Sequence, residues 1–285
     1  MRLSIVIPVR RARTTLARCV ESMRAACVGL DAEIVVAYSA DDETAPIAAA
    51  LQGVRLVRAE GRRSVPQLRR DGVRAASGEF ILITEDHCTV SADWARALLR
   101  AAAEHPASSW GGPVRNGRTS WLGWAHYFTR YTAFLPPGRA GYTRHLPGNN
   151  ALYRRDDLLA FAGEWGDGFW EAELNAVMTR ERGPFWYVPE AVVEQRQMRG
   201  LFEYASLRYR HGRCYGARCG QGHSAVFFFV AALLFWRGLR AAGRNGVMGR
   251  FLTVAPLLVV YYSCWAAGEM VGYLAGPGDS CSDTD

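Results

Sequence analysis

Along the first hundred residues, short strongly apolar runs alternate with segments whose apolar residues recur every three or four positions. "LSIVIPV" (3–9), "EIVVAY" (33–38), "VRLVRA" (54–59) and "EFILIT" (79–84) have the β-branched character of strands covered on both faces. Between them, helical spacing runs over 12–27 (Leu16, Val20, Met23, Cys27), 43–52 and 64–76. Ser91 and Asp93 open a further helix expected to reach Glu104. Repeated β–α–β units predict an α/β fold, a doubly wound and mainly parallel sheet with right-handed crossovers. Such a sheet takes its ligands beyond the carboxyl ends of its strands. Pro8, Val9, the "SADD" of 39–42 and Glu85-Asp86-His87 all fall there.

The second half is patterned differently. Trp121, Trp124, Phe128, Tyr131 and Leu135 recur at helical spacing, as a core stripe or as a surface for sugar or lipid. "LPGNNALYRRDDL" (146–158) reads as a turn with a helix opening at Asp156. Asp167 is the expected N-cap of a helix running to Arg182, which Gly183 and Pro184 end. Residues 195–224 are basic and aromatic, and two apolar stretches follow at 225–236 and 251–276. The first is shorter than the roughly 20 residues a spanning helix needs, and the second is long enough. The linker "RGLRAAGRNGVMGR" carries four arginines and would lie outside if both stretches crossed, against the positive-inside tendency. That leaves an interfacial first stretch with a spanning second one, a shallow re-entrant hairpin, or a buried soluble hairpin. The expected organisation is a catalytic domain over 1–194, with a donor half to about 110 and an acceptor half from about 111. A basic interface segment (195–224), membrane-associated helices (225–276) and an acidic tail (277–285) follow.

Composition adds limits. The 285 residues carry a formal net charge of +7, and every basic residue is arginine. With alanine and glycine abundant, this reads as coding bias, and no nucleic-acid partner is expected. The positive balance points to anionic partners, phosphates or an acidic membrane surface. The seven cysteines, at 19, 27, 88, 214, 219, 264 and 281, form no Cys-x-x-Cys pair and are expected to be ordinary reduced thiols of a cytosolic chain. The apolar run in "MRLSIVIPVRRAR" is too short for a signal peptide, so the chain is expected to start in the cytosol.

Glu85, Asp86 and His87 are the main candidate chemistry. A buried strand that delivers two carboxylates and an imidazole must pair them, and a divalent cation is one partner. An acidic loop that merely caps a helix is the plain alternative.

"SIVIPV", "RRDGVRAASGEFILITEDHC", "PGNNALYRR", "GFWEAELNAVMTRERG" and "AAGEMVGYLAGPG", in this order, carry a family resemblance across nearly the whole chain. It resembles a bacterial family-two glycosyltransferase, an inverting enzyme of the GT-A fold with a membrane-attached C-terminus. The resemblance implies that Glu85-Asp86-His87 occupies the aspartate run holding Mn²⁺ or Mg²⁺ on the donor diphosphate, with Asp86 and His87 as metal ligands. Histidine in place of the last aspartate implies weaker, more pH-dependent binding and a lean toward manganese. Glu171 matches the catalytic base, which takes the acceptor hydroxyl's proton during a single displacement.

For the donor, the resemblance implies contacts from Pro8 and Val9, from Asp41 and Asp42, and from Arg69 or its neighbour Arg70. Ala37 and Tyr38 stand where relatives carry an aspartate pair. Gly148, Asn149, Asn150 and Trp170 match the acceptor side. Arg210 and Arg213 match an interface segment that closes over the diphosphate, with anionic lipid head groups as the other reading. The implied reaction moves one sugar from a nucleotide-sugar donor, a UDP-sugar before a GDP-sugar, to a hydroxyl of a lipid or lipid-linked acceptor. It is placed at the cytoplasmic (inner) membrane, with the catalytic domain facing the cytosol. A nucleotidyltransferase of similar geometry is one alternative, although "PVRRARTT" lacks the glycine loop such enzymes carry after the first strand. A non-catalytic membrane scaffold is the other.

Overall fold

A computed structural model describes residues 2–11, 14–40, 43–197, 199–219 and 227–282. It divides into two compact units, one of residues 1–115 and 136–195, the other of 116–135 and 196–285.

The first unit begins with the alternation expected. β1 (Leu3–Val9), α1 (Leu16–Ala26), β2 (Ala32–Ser39), α2 (Thr44–Ala49), β3 (Arg55–Ala59), α3 (Val65–Ala75) and β4 (Phe80–Ile83) follow one another. β5 (Cys88–Val90), α4 (Trp94–Glu104), β6 (Trp110–Gly111) and β7 (Val114–Asn116) come next. After α5 (Trp121–Tyr131), which belongs to the second unit, come β8 (Gly141–Thr143), β9 (Ala151–Arg154), α6 (Arg155–Ala160), α7 (Glu171–Arg182), β10 (Phe185–Tyr187) and β11 (Val193–Gln195). Eight strands form one sheet in the order β3-β2-β1-β4-β9-β6-β10-β8. β3, β2, β1 and β4 are mutually parallel, and β9 is antiparallel to both β4 and β6. A smaller sheet runs β5-β11-β7.

The period-2 pattern explains the layering. Leu3, Ile5, Ile7 and Val9 point to one face, where they pack with Leu16, Val20 and Met23 of α1 and Trp94 and Leu98 of α4. Val6, Val35, Ile81 and Ile83 point to the other, against Val73 of α3, Leu158 of α6 and Leu174 and Met178 of α7. α3 lies tight on the sheet because Gly72 allows it, since a Cβ there would sit 2.6 Å from Val6 Cγ1.

Three local expectations are corrected. The helix expected from Asp156 is present as α6, but the stretch before it, expected as turn, holds β9, whose pairing with β4 and β6 is non-local and outweighs the turn signal. Asp167 does not cap α7. That helix starts at Glu171 with Trp170 before it, and Asp167 Oδ1 accepts from Trp170 Nε1 at 3.2 Å. The stop is as expected, with Gly183 at φ +96°.

In the second unit α5 packs with α8 (Leu201–Cys219), α9 (Phe227–Arg244) and α10 (Met248–Ala275). The aromatic stripe divides. Phe128, Tyr131 and Leu135 are buried, while Trp121 is exposed. The third correction concerns cysteine. Cys214 of α8 and Cys281, beyond the end of α10, form a disulfide; Cys19, Cys27, Cys88 and Cys264 are free. A separation of 67 residues carries no local motif, and the pair meets only because α8 and α10 lie side by side.

Candidate active site

Local signals place the central arginine. Ser64 and Gln67 form a capping box that starts α3, and Pro66 sits in its first turn. The helix then turns Val65, Leu68, Arg69, Gly72 and Val73 inward. Arg69 is 2% exposed. The chain before α7 docks on this same first turn, with Phe169 N donating to Pro66 O at 2.8 Å. Gly168 makes this possible, because a Cβ there would press on Pro66 at 2.8 Å. Glu171, the first residue of α7, is thereby brought to Arg69.

Arg69 joins two carboxylates that are far apart in sequence. Its Nη1 pairs with Glu171 Oε2 and donates to Phe169 O at 3.3 Å; its Nη2 lies 3.5 Å from Glu85 Oε1. Arg70 instead bonds Asp71 and Asp167 O. Between the two arginines, the buried position is therefore Arg69, and it is not a solvated helical residue. A buried guanidinium needs such partners, because its desolvation is otherwise uncompensated.

β4 ends with Thr84 N donating to Val6 O, and the turn that follows closes with Cys88 N donating to Glu85 O at 3.0 Å. In that turn His87 is held between its neighbours, Nε2 at 3.1 Å from Glu85 Oε2 and Nδ1 at 3.5 Å from Asp86 Oδ1. Burial alone would lower the imidazole's pKa, but contact with Asp86 and Glu85, and their charges, outweigh it and raise it to about 9. Thr15, at the start of α1, donates Oγ1 to Asp86 Oδ2 at 2.5 Å. Neither Thr15 nor the double pairing of Arg69 has a signature in the sequence.

The donor set fits a divalent cation. Ligand atoms of Glu85, His87 and Cys88 lie within 4.8 Å of one another, all buried. Burial, then the charge of Glu85, pushes the Cys88 thiol far up, so it stays protonated and is the weakest donor of the three. Of this cluster, the Glu85 carboxylate and the His87 imidazole are the groups best suited to a cation, which would have to displace the His87 proton; Asp86, expected as a ligand, lies beside the cluster and not in it.

The acceptor-side turn separates into roles. Gly148 lies against Glu171, where any Cβ would collide with its carboxylate. Asn149 is buried and donates Nδ2 to Cys88 Sγ at 3.4 Å. Asn150 is fully buried, its Oδ1 accepting from Trp94 Nε1 and its Nδ2 donating to Pro113 O and Ala191 O. It therefore holds the turn rather than presenting itself to a ligand. Trp170 is half-buried beside Glu171. Pro8 and Val9 end β1 as expected, next to Ala37 and Tyr38 at the end of β2. Asp41 and Asp42 lie outside the described residues. Arg210 and Arg213 belong to α8 of the second unit, where Arg213 Nε donates to Gly276 O at 3.0 Å.

The glycosyl transferase family 2 model matches residues 4–160. No curated protein matches the sequence. The mannosyltransferase PcManGT from Pyrobaculum calidifontis, solved with GDP-Man and Mn²⁺, is similar in structure with TM-score 0.56 and 16% identity, covering 99% of this chain and 88% of that one. S. aureus TarS 1–349, solved with UDP-GlcNAc, is similar with TM-score 0.52 and 13% identity, covering 95% and 91%. At these identities the likeness shows the fold.

Proposed function

Because the chain belongs to glycosyltransferase family 2, we propose that it transfers a single sugar, with inversion, from a nucleotide-sugar donor to a hydroxyl of a lipid or lipid-linked acceptor. The observation that carries this reading is the Glu85–Arg69–Glu171 bridge, which ties the acidic turn to the candidate base through one buried guanidinium. In this reading Glu171 takes the acceptor hydroxyl's proton as the anomeric carbon is attacked from the opposite face. Arg69 orients that carboxylate, and Gly148 leaves room beside it.

Asp86 and His87, with Glu85 behind them, are the proposed holders of Mn²⁺ or Mg²⁺. The ion would neutralise charge developing on the departing nucleoside diphosphate as a Lewis acid. Imidazole nitrogen beside carboxylate oxygen favours manganese. Pro8 and Val9 are proposed backbone contacts to the nucleotide, with Asp41 and Asp42 further candidates. Asn149 and Trp170 are proposed to line the acceptor side. Relatives of this fold hold GDP-Man in one case and UDP-GlcNAc in the other, which supports a nucleotide-sugar donor. A UDP-sugar is our first choice. Membership in a glycosyltransferase family speaks against the nucleotidyltransferase alternative.

Attachment to the inner membrane with the active unit in the cytosol completes the proposal. The apolar α9 and α10 support it, with exposed Phe229, Leu233, Trp236 and Leu252; α10 is, among the described residues, also the helix long and apolar enough to cross a membrane. The test is release of UDP or GDP from a panel of nucleotide sugars by detergent-extracted protein, with manganese, magnesium or EDTA. Metal-dependent release from one donor, lost in Glu171→Gln, is the expected result. Full activity of Glu171→Gln would remove it as the base.

A further inference from the structure

The second unit decides how such a chain meets a membrane. α8 and α10 pack backbone to backbone. Gly212 and Gly216 of α8 lie on Trp265 and Glu269 of α10, while Gly268 and Gly272 of α10 lie on Tyr209 and Arg213 of α8. At each of the four, a Cβ would strike the partner's carbonyl oxygen. The numbers rise together, so the helices run parallel and the whole of α8 covers the second half of α10.

α8 is poorly suited to hydrocarbon. It carries Arg208, Arg210, His211, Arg213 and Arg218. Arg208 is buried over the Trp265 ring at 4.3 Å, Arg213 bonds Gly276 O, and Glu269 Oε2 accepts from Trp265 Nε1 at 2.9 Å. If α10 crossed a bilayer, these ionisable groups would be carried in beside it, and such groups are costly at depth.

The apolar surface lies elsewhere in this unit. Phe229, Leu233 and Trp236 of α9, at spacings of four and three, form one exposed stripe, with Phe229 68% and Trp236 55% exposed. Leu252, Val259 and Val260 of α10 are exposed as well. Arg237, Arg240, Arg244 and Arg250 are all exposed around the α9–α10 turn, and residues 227–268 contain no carboxylate. An apolar stripe bordered by arginine with no acidic residue complements an anionic bilayer surface.

We infer that α10 does not span, and that α9 and the first half of α10 lie in the plane of an anionic lipid surface. This rests on the membrane attachment proposed above and commits it to one geometry. The interfacial residues are Phe229, Leu233, Trp236 and Leu252, and the arginines meet the lipid phosphates.

The test uses the full chain in sealed inverted membrane vesicles, with one epitope tag inserted at Asn245 and another after Asp285. Added protease is expected to treat both tags alike, because both ends of α10 lie on one face. Removal of one tag and protection of the other would overturn the in-plane geometry while leaving membrane attachment intact. Purified protein is then floated with phosphatidylcholine vesicles, with and without phosphatidylglycerol. Binding is expected to need the anionic lipid, and to fall at least tenfold in Leu233→Ser/Trp236→Ser, whose exposed positions leave the fold's melting temperature unchanged. Equal binding to both vesicle types, or a stable dimer cross-linked through Trp236, would overturn the lipid assignment. No binding to any vesicle would overturn the attachment itself.

Discussion

Gly148 lies against the carboxylate of Glu171 so closely that no side chain fits between them. One residue of a turn after β8 and the first residue of α7 thus share a single space, and the missing Cβ keeps the candidate base uncovered. Gly148→Ala is expected to push the Glu171 carboxylate aside, because the far end of a glutamate yields more easily than backbone. Misplacing a reacting group by about 1 Å can cost about 100-fold in rate. Sugar transfer should fall by at least about tenfold, with little change in the melting temperature. Unchanged turnover in Gly148→Ala would show that Glu171 tolerates displacement and is not the base.

Arg69 supports a second prediction. Removing one partner of a buried ion pair typically costs about 3–5 kcal/mol, and Arg69 is the cation shared by Glu171 and Glu85, of which Glu85 keeps His87 at 3.1 Å. Arg69→Met should therefore destabilise the protein by that order in chemical denaturation, while Glu171→Gln, at the more exposed end of the bridge, should destabilise it much less. Arg69→Lys keeps the charge but cannot fork to Glu85 and Glu171 together. It is expected to retain most of the stability and to lose activity.

Metal binding should depend on pH. With the His87 pKa raised to about 9, its imidazole carries a proton at neutral pH, and a cation must displace it. Manganese affinity, followed by electron paramagnetic resonance, should rise by about tenfold per pH unit between pH 7 and 8, for one proton released. His87→Asp should bind more tightly at pH 7 and lose most of that slope. A flat profile in the unaltered protein would take His87 out of the metal site.

Acid should weaken the second unit. His126 is buried, stacked on Tyr204 at 3.6 Å, and burial followed by the charge of Arg130 lowers its pKa to about 4. Burial and the charges of Arg208 and Arg130 likewise hold His211 well below its usual range. Unfolded, both would take up a proton near pH 6.5, so the unfolded state binds more protons below that pH. The neutral rings therefore contribute stability above about pH 6.5, and for His126 it is lost as pH falls toward 4. Thermal melts at pH 7.5, 6 and 5 should show a stepwise fall, reduced in His126→Phe, which keeps the stack.

Much of the first unit was legible because its signals are local. β1 to β4 announce themselves by runs of β-branched residues, α1 to α4 by their spacing, and the acidic turn by following an apolar strand. Glu171 as candidate base, and Asp86 and His87 as candidate metal ligands, came from the family resemblance laid on those elements. β9 was not legible: its four residues gain their place from strands about 70 and about 40 positions before, and nothing in "ALYR" announces such partners.

The chain's own order of residues determined four parallel strands and, with them, that the ends of β1, β2 and β4 would lie at one edge of the sheet, since period and crossover handedness are properties of contiguous sequence. Tertiary structure alone decided that Arg69 rather than Arg70 faces the acids, that Asn150 serves the turn, and that Cys214 meets Cys281. It also decided that α10, apolar enough to span, is sheathed along half its length by an arginine-rich helix. The reason is the same in each case. A side chain's environment depends on what packs against it, and those neighbours are tens of residues away in sequence.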